Sequence, residues 1–210
     1  KRPPNKPGST TYGSGDSVVV VRAARATGRL DTIARLRQPL GARSNISTDA
    51  TGKVTRSSVS RPAFAVGEDA ALFNDGWLAI ARLDPYRVDW RPPDGKVTRG
   101  APLPVPTVKV DEREKKVYLD RNAKNIADNN AGNLPDDLRA DLARSFTEFP
   151  AEIPPFQTGA LVAAADGLLL IRRTRTADHL EIRFDVVNRR GVLERQLTIA
   201  DNERIVGFGA

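Results

Sequence analysis

Six side chains that could recognise a ligand lie in two polar breaks between apolar stretches of the chain. They are Arg82, Tyr86, Arg87, Arg173, Arg175 and His179. Arginine forms paired hydrogen bonds with carboxylate, sulfate and phosphate groups, and loops on a rigid scaffold carry most binding residues. We therefore expect these loops to bind an anionic small molecule, an anionic glycan or a protein partner. The alternative for the same side chains is a solvated rim with local ion pairs.

Residues suited to catalysis or metal binding are few. The chain contains one histidine, His179, and no cysteine, which excludes a multi-histidine metal centre and thiol chemistry within this sequence. Three Asp-Gly pairs, at residues 75–76, 94–95 and 166–167, are expected at turns, because both residue types tolerate the backbone angles that a turn requires. We predict no catalytic residue, no metal and no cofactor.

A repeat indicates which elements hold these loops. The sequence Gly-Lys-Val-Thr-Arg occurs at residues 52–56 and again at 95–99, an offset of 43 residues, which is typical of one blade of a β-propeller. Near the repeat, apolar runs predict strands that are buried on both faces. The stretches of alternating apolar and polar residues that follow these runs predict strands with one face exposed to solvent. The runs are 77–81 and 168–171, and the alternating stretches are 86–90 and 180–186. The pattern predicts all-β blades of four antiparallel strands.

Several motifs in these repeats resemble a known family. They are Arg-Pro-Ala-Phe-Ala at 61–65, Asp-Gly at 75–76 with its apolar run, Asp-Pro-Tyr-Arg-Val-Asp-Trp at 84–90, and Pro-Pro-Phe at 154–156. With these motifs, the chain from about residue 16 onward resembles the bacterial six-bladed β-propeller proteins of NHL-like type. The resemblance implies an exported binding or structural scaffold more than an enzyme, and it adds no catalytic residue.

The length of the chain bears on how complete such a propeller is. Six blades need about 250 residues or more, whereas this chain has 210. We therefore expect an incomplete propeller that packs against the remaining blades of the same parent chain. A small protein with fewer blades and a β-sandwich are the alternatives left open.

The sequence divides into four regions. Residues 1–15 are a flexible lead-in rich in Pro, Gly, Ser and Thr, 16–106 are propeller blades, 107–150 are a helical insert, and 151–210 are a further blade and the start of the next. Apolar residues at helical spacing predict that the insert is a helical hairpin. These residues are Leu119, Ala123, Ile126 and Ala127 in the first helix, and Leu138, Leu142 and Phe146 in the second.

Charge and hydropathy limit the partners. The net charge is +7, and the first half of the chain is the more basic. The arginines and lysines are spread through strands without a basic block and with few aromatic residues, so nucleic acid is not expected. No apolar run reaches the 18 residues of a membrane span.

These observations together predict a non-enzymatic β-propeller scaffold that binds ligands or partners through its blade loops. From the family resemblance, we expect it in the periplasm or outside a bacterial cell. The alternative is a fragment of a propeller hydrolase or lyase that acts on sugars or peptides, with its catalytic residues in blades outside this chain.

Overall fold

The structure is a computed structural model that describes residues 8–12, 17–23, 26–37, 43–49, 51, 53–64, 66–129, 146–201, 203 and 205. In that part of the chain the protein is mostly β, as predicted, with fifteen strands and one helix. The strands are β1 (Gly8–Tyr12), β2 (Ser17–Ala23), β3 (Leu30–Arg37), β4 (Arg43–Thr48), β5 (Val54–Pro62), β6 (Asp69–Leu72), β7 (Leu78–Leu83), β8 (Tyr86–Arg91), β9 (Val108–Lys109), β10 (Phe146–Glu148), β11 (Glu152–Ile153), β12 (Phe156–Ala163), β13 (Leu169–Arg173), β14 (Ile182–Val187) and β15 (Leu193–Ile199). The helix is α1 (Glu112–Asn129).

The described strands form five small sheets. Their orders are β1-β4-β5-β10, β9-β11, β2-β3, β6-β7-β8 and β12-β13-β14-β15. All pairs are antiparallel except β5 with β10, which is parallel. None of these sheets closes on itself within the described residues, and the arrangement of the sheets as blades of an incomplete propeller stays a prediction. β1 occupies part of the region expected to be a flexible lead-in, because it pairs with β4 along its whole length.

Two of the sheets begin with the same hairpin. In the sheet β6-β7-β8, Asp75 Oδ1 accepts the Trp77 amide at 3.3 Å, and in the sheet β12-β13-β14-β15, Asp166 Oδ1 accepts the Leu168 amide at 3.2 Å. Gly76 and Gly167 follow with φ of 84° and 85°, a region that L side chains rarely adopt. The prediction that these two Asp-Gly pairs form turns is confirmed.

The central strands of both sheets are buried on both faces, as their apolar sequences predict. Ile80 in β7 and Ile171 in β13 are fully buried. The expected wet face of the next strand is wrong in both sheets, because Asp89 in β8 is 4% exposed and Asp185 in β14 is fully buried. Leu180, the first residue of the alternating stretch 180–186, precedes β14 and is exposed. The faces of β8 and β14 that carry Asp89 and Asp185 are buried because a neighbouring sheet covers each of them.

Three sheets pack face to face in chain order. Leu36 of β3 packs against Leu78 and Ile80 of β7, which joins β2-β3 to β6-β7-β8. On the other side of β6-β7-β8, Trp90 belongs to one cluster with Phe156 and Ile171 of the next sheet. Each sheet therefore buries apolar area against its neighbour, which supplies the main stabilisation.

The insert contains one described helix. Asp111 caps α1, since its Oδ1 accepts the Glu114 amide at 2.9 Å. The predicted second helix falls partly outside the described residues, including Leu138 and Leu142, whereas Phe146 lies in strand β10 and its helical assignment was wrong. A short parallel pairing of β10 with β5 has replaced the expected helix end.

The two copies of the repeated pentapeptide both follow a turn and pair with the strand before it. Val54 begins β5 and pairs with Thr48 of β4, whereas Thr98 forms an isolated bridge with Trp90. Gly95 closes a turn through its amide, which donates to Pro92 O at 3.2 Å. Gly52 lies outside the described residues.

Candidate functional site

A cavity of about 460 Å³ lies where the equivalent loops of two sheets meet. It lies between the β7-β8 turn and the β13-β14 loop, and we call it the loop cleft. Its lining comes from Val66 and from residues within 83–86, 102–108, 150–155 and 173–176. The size is within the usual range for small-ligand pockets.

Proline dominates the wall of the loop cleft. The prolines of the lining are Pro85, Pro102, Pro106, Pro150, Pro154 and Pro155. Proline has a fixed φ and no amide donor, so this wall is stiff and apolar. Buried Leu103 and Ile153 add to the apolar surface.

One buried polar group of the lining has no hydrogen-bond partner among the described residues. This group is the Thr174 hydroxyl, whereas the Thr174 amide donates to Pro155 O at 3.0 Å. The residue is 4% exposed. A buried hydroxyl without a hydrogen bond costs about 1–3 kcal/mol. Thr174 belongs to the lining of the cleft, and its hydroxyl oxygen is covered by neighbouring atoms in this structure.

Tyr86 and Arg173, both predicted site residues, meet at the loop cleft on a shared carboxylate. Tyr86 Oη donates to Asp185 Oδ2 at 2.8 Å, and Arg173 Nη1 donates to the same oxygen at 3.1 Å. Gln196 Nε2 donates to Asp185 Oδ1 at 2.7 Å, and Arg173 Nε donates to Pro155 O at 2.9 Å. Burial, together with the charge of Asp185, raises the pKa of Tyr86 well above its usual value. Tyr86 is therefore a neutral donor, and the charge of Arg173 is matched by Asp185.

Arg82 and Arg87 meet on a second buried carboxylate, away from the cleft lining. Arg82 Nε donates to Asp89 Oδ2 at 2.9 Å, and Arg87 Nε donates to Asp89 Oδ1 at 2.8 Å. Burial opposes ionisation of Asp89, but the hydrogen bonds from Arg87 and Arg82 outweigh it and hold its pKa below the usual value. Arg82 Nη1 also binds Glu68 Oε2 at 2.6 Å and Arg35 O at 2.8 Å.

The two buried pairs occupy equivalent positions. Ile80 stands opposite Asp89 in the β7-β8 ladder, and Ile171 stands opposite Asp185 in the β13-β14 ladder. Arg82 and Arg173 each follow that isoleucine by two residues. The structure therefore repeats an arginine-aspartate pair on the same face of both sheets.

Arg175 and His179 lie in the β13-β14 loop but outside the cleft lining. Arg175 Nη2 lies 2.7 Å from Asp201 Oδ1, and His179 Nδ1 lies 3.1 Å from Glu181 Oε1 on the exposed side. The helix holds this loop, since the Glu114 carboxylate accepts the Ala177 amide with both oxygens at 2.9 Å. Of the six predicted residues, the structure brings Tyr86 and Arg173 to the cleft.

Sequence reasoning missed Thr174, Glu68 and both buried aspartates. A signal for the aspartates was available, because Asp89 and Asp185 each stand between two apolar residues in an alternating strand of equivalent repeats. Thr174 carries no comparable signal, since its lack of a partner depends on the loops packed around it.

Further features limit the chemistry of the described part of the chain. It holds no group of three or more His, Cys, Asp and Glu side chains arranged to bind a metal ion. No helix found there combines the length and apolar character needed to cross a bilayer. Comparisons with family models, curated proteins and solved structures give no match to this chain. The fold and site define a mostly β protein in which small sheets pack face to face and a cleft lies between equivalent loops.

Proposed function

We propose that this chain is a non-enzymatic binding scaffold of β-propeller type and that the loop cleft is its recognition site. The sheets β6-β7-β8 and β12-β13-β14-β15 act as successive blades. Their equivalent first hairpins, equivalent arginine-aspartate pairs and face-to-face packing in chain order support this proposal. The proposal keeps the family resemblance and the bacterial, exported setting as parts of the same hypothesis.

One observation carries the binding role: the buried Thr174 hydroxyl, in the lining of a cleft of about 460 Å³, has no hydrogen-bond partner among the described residues. Stable proteins satisfy most buried polar groups, and exceptions call for an explanation. The explanation here is a ligand that forms a hydrogen bond with Thr174. The arginines first considered for anion binding donate to Asp89, Asp185, Glu68 and Asp201, so the proposal favours the protein-partner form of recognition.

The variant Thr174→Val tests the role of the hydroxyl directly, because valine keeps the shape and removes only the polar group. We expect the free energy of unfolding of this variant to rise by about 1 kcal/mol, since an unpaired buried hydroxyl is lost. We expect its affinity for a ligand in the cleft to fall about fivefold, as the loss of about 1 kcal/mol of hydrogen bonding implies. A destabilised variant would show that the hydroxyl has a structural partner and would remove the support for the site.

The probe is the blocked neutral peptide acetyl-Gln-Leu-Gln-amide, titrated into the isotopically labelled full chain and followed by NMR. Binding at the cleft predicts chemical-shift changes concentrated at the residues that line it. Pro106→Trp narrows the exposed rim of the cleft, and Pro104→Trp is the matched control, since Pro104 is exposed and outside the lining. Equal effects of these two variants, or shifts elsewhere, would contradict the proposal.

A further inference from the structure

The charges that line the loop cleft are unbalanced. The charged side chains of the lining are Asp84, Glu152 and Arg173. Arg173 donates to the fully buried Asp185, so its positive charge is matched inside the protein. Asp84 and Glu152 are exposed, and neither forms an ion pair with another described residue. The rim therefore carries two carboxylates that form no ion pair within the described part of the chain, although Lys109 stands opposite Glu152 in the β9-β11 ladder.

The two carboxylates come from different elements and border the apolar wall. Asp84 lies in the β7-β8 turn, whereas Glu152 lies in β11. A ligand complementary to this arrangement combines an apolar group for the proline wall with a positive charge for the rim. It also offers a hydrogen-bonding group to Thr174, which a peptide backbone provides at every residue.

We propose that the loop cleft binds an extended basic peptide segment, with an apolar side chain on the proline wall and lysine or arginine side chains against Asp84 and Glu152. This inference rests on the proposed function and specifies its partner. An acidic ligand would bring its charge against the rim carboxylates and would find Arg173 already paired. The attraction is local, because the whole chain carries a net charge of +7 and repels cations at a distance.

Three blocked peptides with positive, neutral or negative flanking side chains test the inference by NMR titration of the full chain: acetyl-Lys-Leu-Lys-amide, acetyl-Gln-Leu-Gln-amide and acetyl-Glu-Leu-Glu-amide. We expect the lysine peptide to bind about fivefold more tightly than the glutamine peptide, since exposed ion pairs each contribute a fraction of a kcal/mol. We expect the glutamate peptide to bind most weakly. Raising the salt concentration weakens binding of the lysine peptide and leaves the glutamine peptide unchanged.

Variants of the rim identify which carboxylates act. Asp84→Asn and Glu152→Gln each lower the affinity for the lysine peptide by about two- to fivefold and leave the glutamine peptide unaffected. Asp94→Asn is the matched control, because Asp94 is exposed, lies outside the cleft lining and changes the net charge by the same amount. Both rim positions are exposed, so the variants are expected to fold.

The outcomes separate this inference from the proposed function. If the glutamine peptide shifts cleft resonances but charge and rim variants have no effect, the binding role stands and the basic-peptide inference falls. Tighter binding of the glutamate peptide, or rim variants that behave like Asp94→Asn, overturns the inference in the same way. If none of the three peptides perturbs the cleft, both proposals are wrong.

Discussion

The buried carboxylate of Asp185 joins two sheets, and the variant Asp185→Asn tests how much that joint contributes to stability. Asp185 is fully buried and accepts hydrogen bonds from Tyr86 and Arg173 on one oxygen and from Gln196 on the other. Tyr86 belongs to β8, whereas the other two residues belong to the sheet of Asp185. Asparagine removes the negative charge and places its NH2 group, which is itself a donor, against one or more of these donors.

The expected cost follows from burial. Breaking a buried ion pair by removing one partner costs about 3–5 kcal/mol. The Arg173 side chain is 11% exposed, so water partly solvates it, and we expect the lower end of this range, about 3 kcal/mol. For a chain of this size, that loss lowers Tm by about 6–12 °C.

An exposed pair provides the matched control. Arg113 Nη1 lies 2.7 Å from Asp178 Oδ1, closer than Arg173 lies to Asp185, but these two side chains are 64% and 71% exposed. Asp178→Asn is therefore expected to cost less than about 1 kcal/mol, because water screens the pair. Burial and not distance decides which pair stabilises the protein.

Urea unfolding at pH 7 measures both variants, with circular dichroism and tryptophan fluorescence as the signals. Trp77 and Trp90 pack in the core between the two sheets, so their emission reports on this joint. Combining Asp185→Asn with Tyr86→Phe should give a double-mutant coupling of about 1–2 kcal/mol. The reasoning is refuted if Asp185→Asn is no more destabilising than Asp178→Asn, or if the two substitutions at the joint are additive.

Three further predictions concern other parts of the fold. Asp89 has a lowered pKa in the folded state, so its contribution to stability is complete above its unfolded pKa of about 4 and is lost as the pH falls through the folded value. Urea unfolding from pH 7 to pH 2 should therefore show the difference in unfolding free energy between the native chain and Asp89→Asn becoming smaller. A difference that stays constant would contradict this. Gly100→Ala should lower the free energy of unfolding by about 3 kcal/mol, because a Cβ at Gly100 would lie 2.1 Å from the Val88 carbonyl oxygen. Gly28→Ala should lower it by about 1 kcal/mol, because a Cβ at Gly28 would have nothing within 4 Å and meets only the strain of a positive φ. Equal decreases in Tm for the two variants would refute this prediction. The guanidinium of Arg189 lies 4.9 Å from the Trp77 ring centroid. Arg189→Lys should therefore lower the free energy of unfolding by about 1 kcal/mol and shift the tryptophan emission to longer wavelength. Unchanged emission would contradict the contact.

Short-range features of the fold were predictable from the sequence. The turns at Gly76 and Gly167 follow from local backbone chemistry, because an aspartate before glycine satisfies the amide that the turn exposes. The buried strands β7 and β13 follow from apolar runs too short for helices. These features depend on a few neighbouring residues, so a single sequence contains their cause.

The candidate site was only partly predictable, because its parts are distant in the chain. Tyr86 and Arg173 were expected in equivalent loops, but their shared partner Asp185 lies on a face that the alternation pattern assigned to solvent. Whether that face is wet depends on the sheet packed against it. The unpartnered state of Thr174 depends in the same way on segments far away in sequence. Tertiary packing, which periodicity does not specify, decided both.

The repeated arginine-aspartate pairs favour one choice of which sheet faces meet. Apolar faces alone would allow either face of a sheet to meet its neighbour, since hydrophobic contact is not directional. A buried carboxylate needs donors, and Asp185 receives one of them, the Tyr86 hydroxyl, from the adjoining sheet. Arg82 lies on the equivalent face of the sheet β6-β7-β8 and donates to Arg35 O in the adjoining sheet β2-β3.

Reversing a sheet would keep the donors to Asp185 that lie in its own sheet, Arg173 and Gln196, and would remove the Tyr86 hydroxyl, at a cost of about 1–3 kcal/mol. We infer that the pairs fix which faces meet, and the equivalent loops therefore end on the same side of the stack. The loop cleft forms at that side, between the β7-β8 turn and the β13-β14 loop.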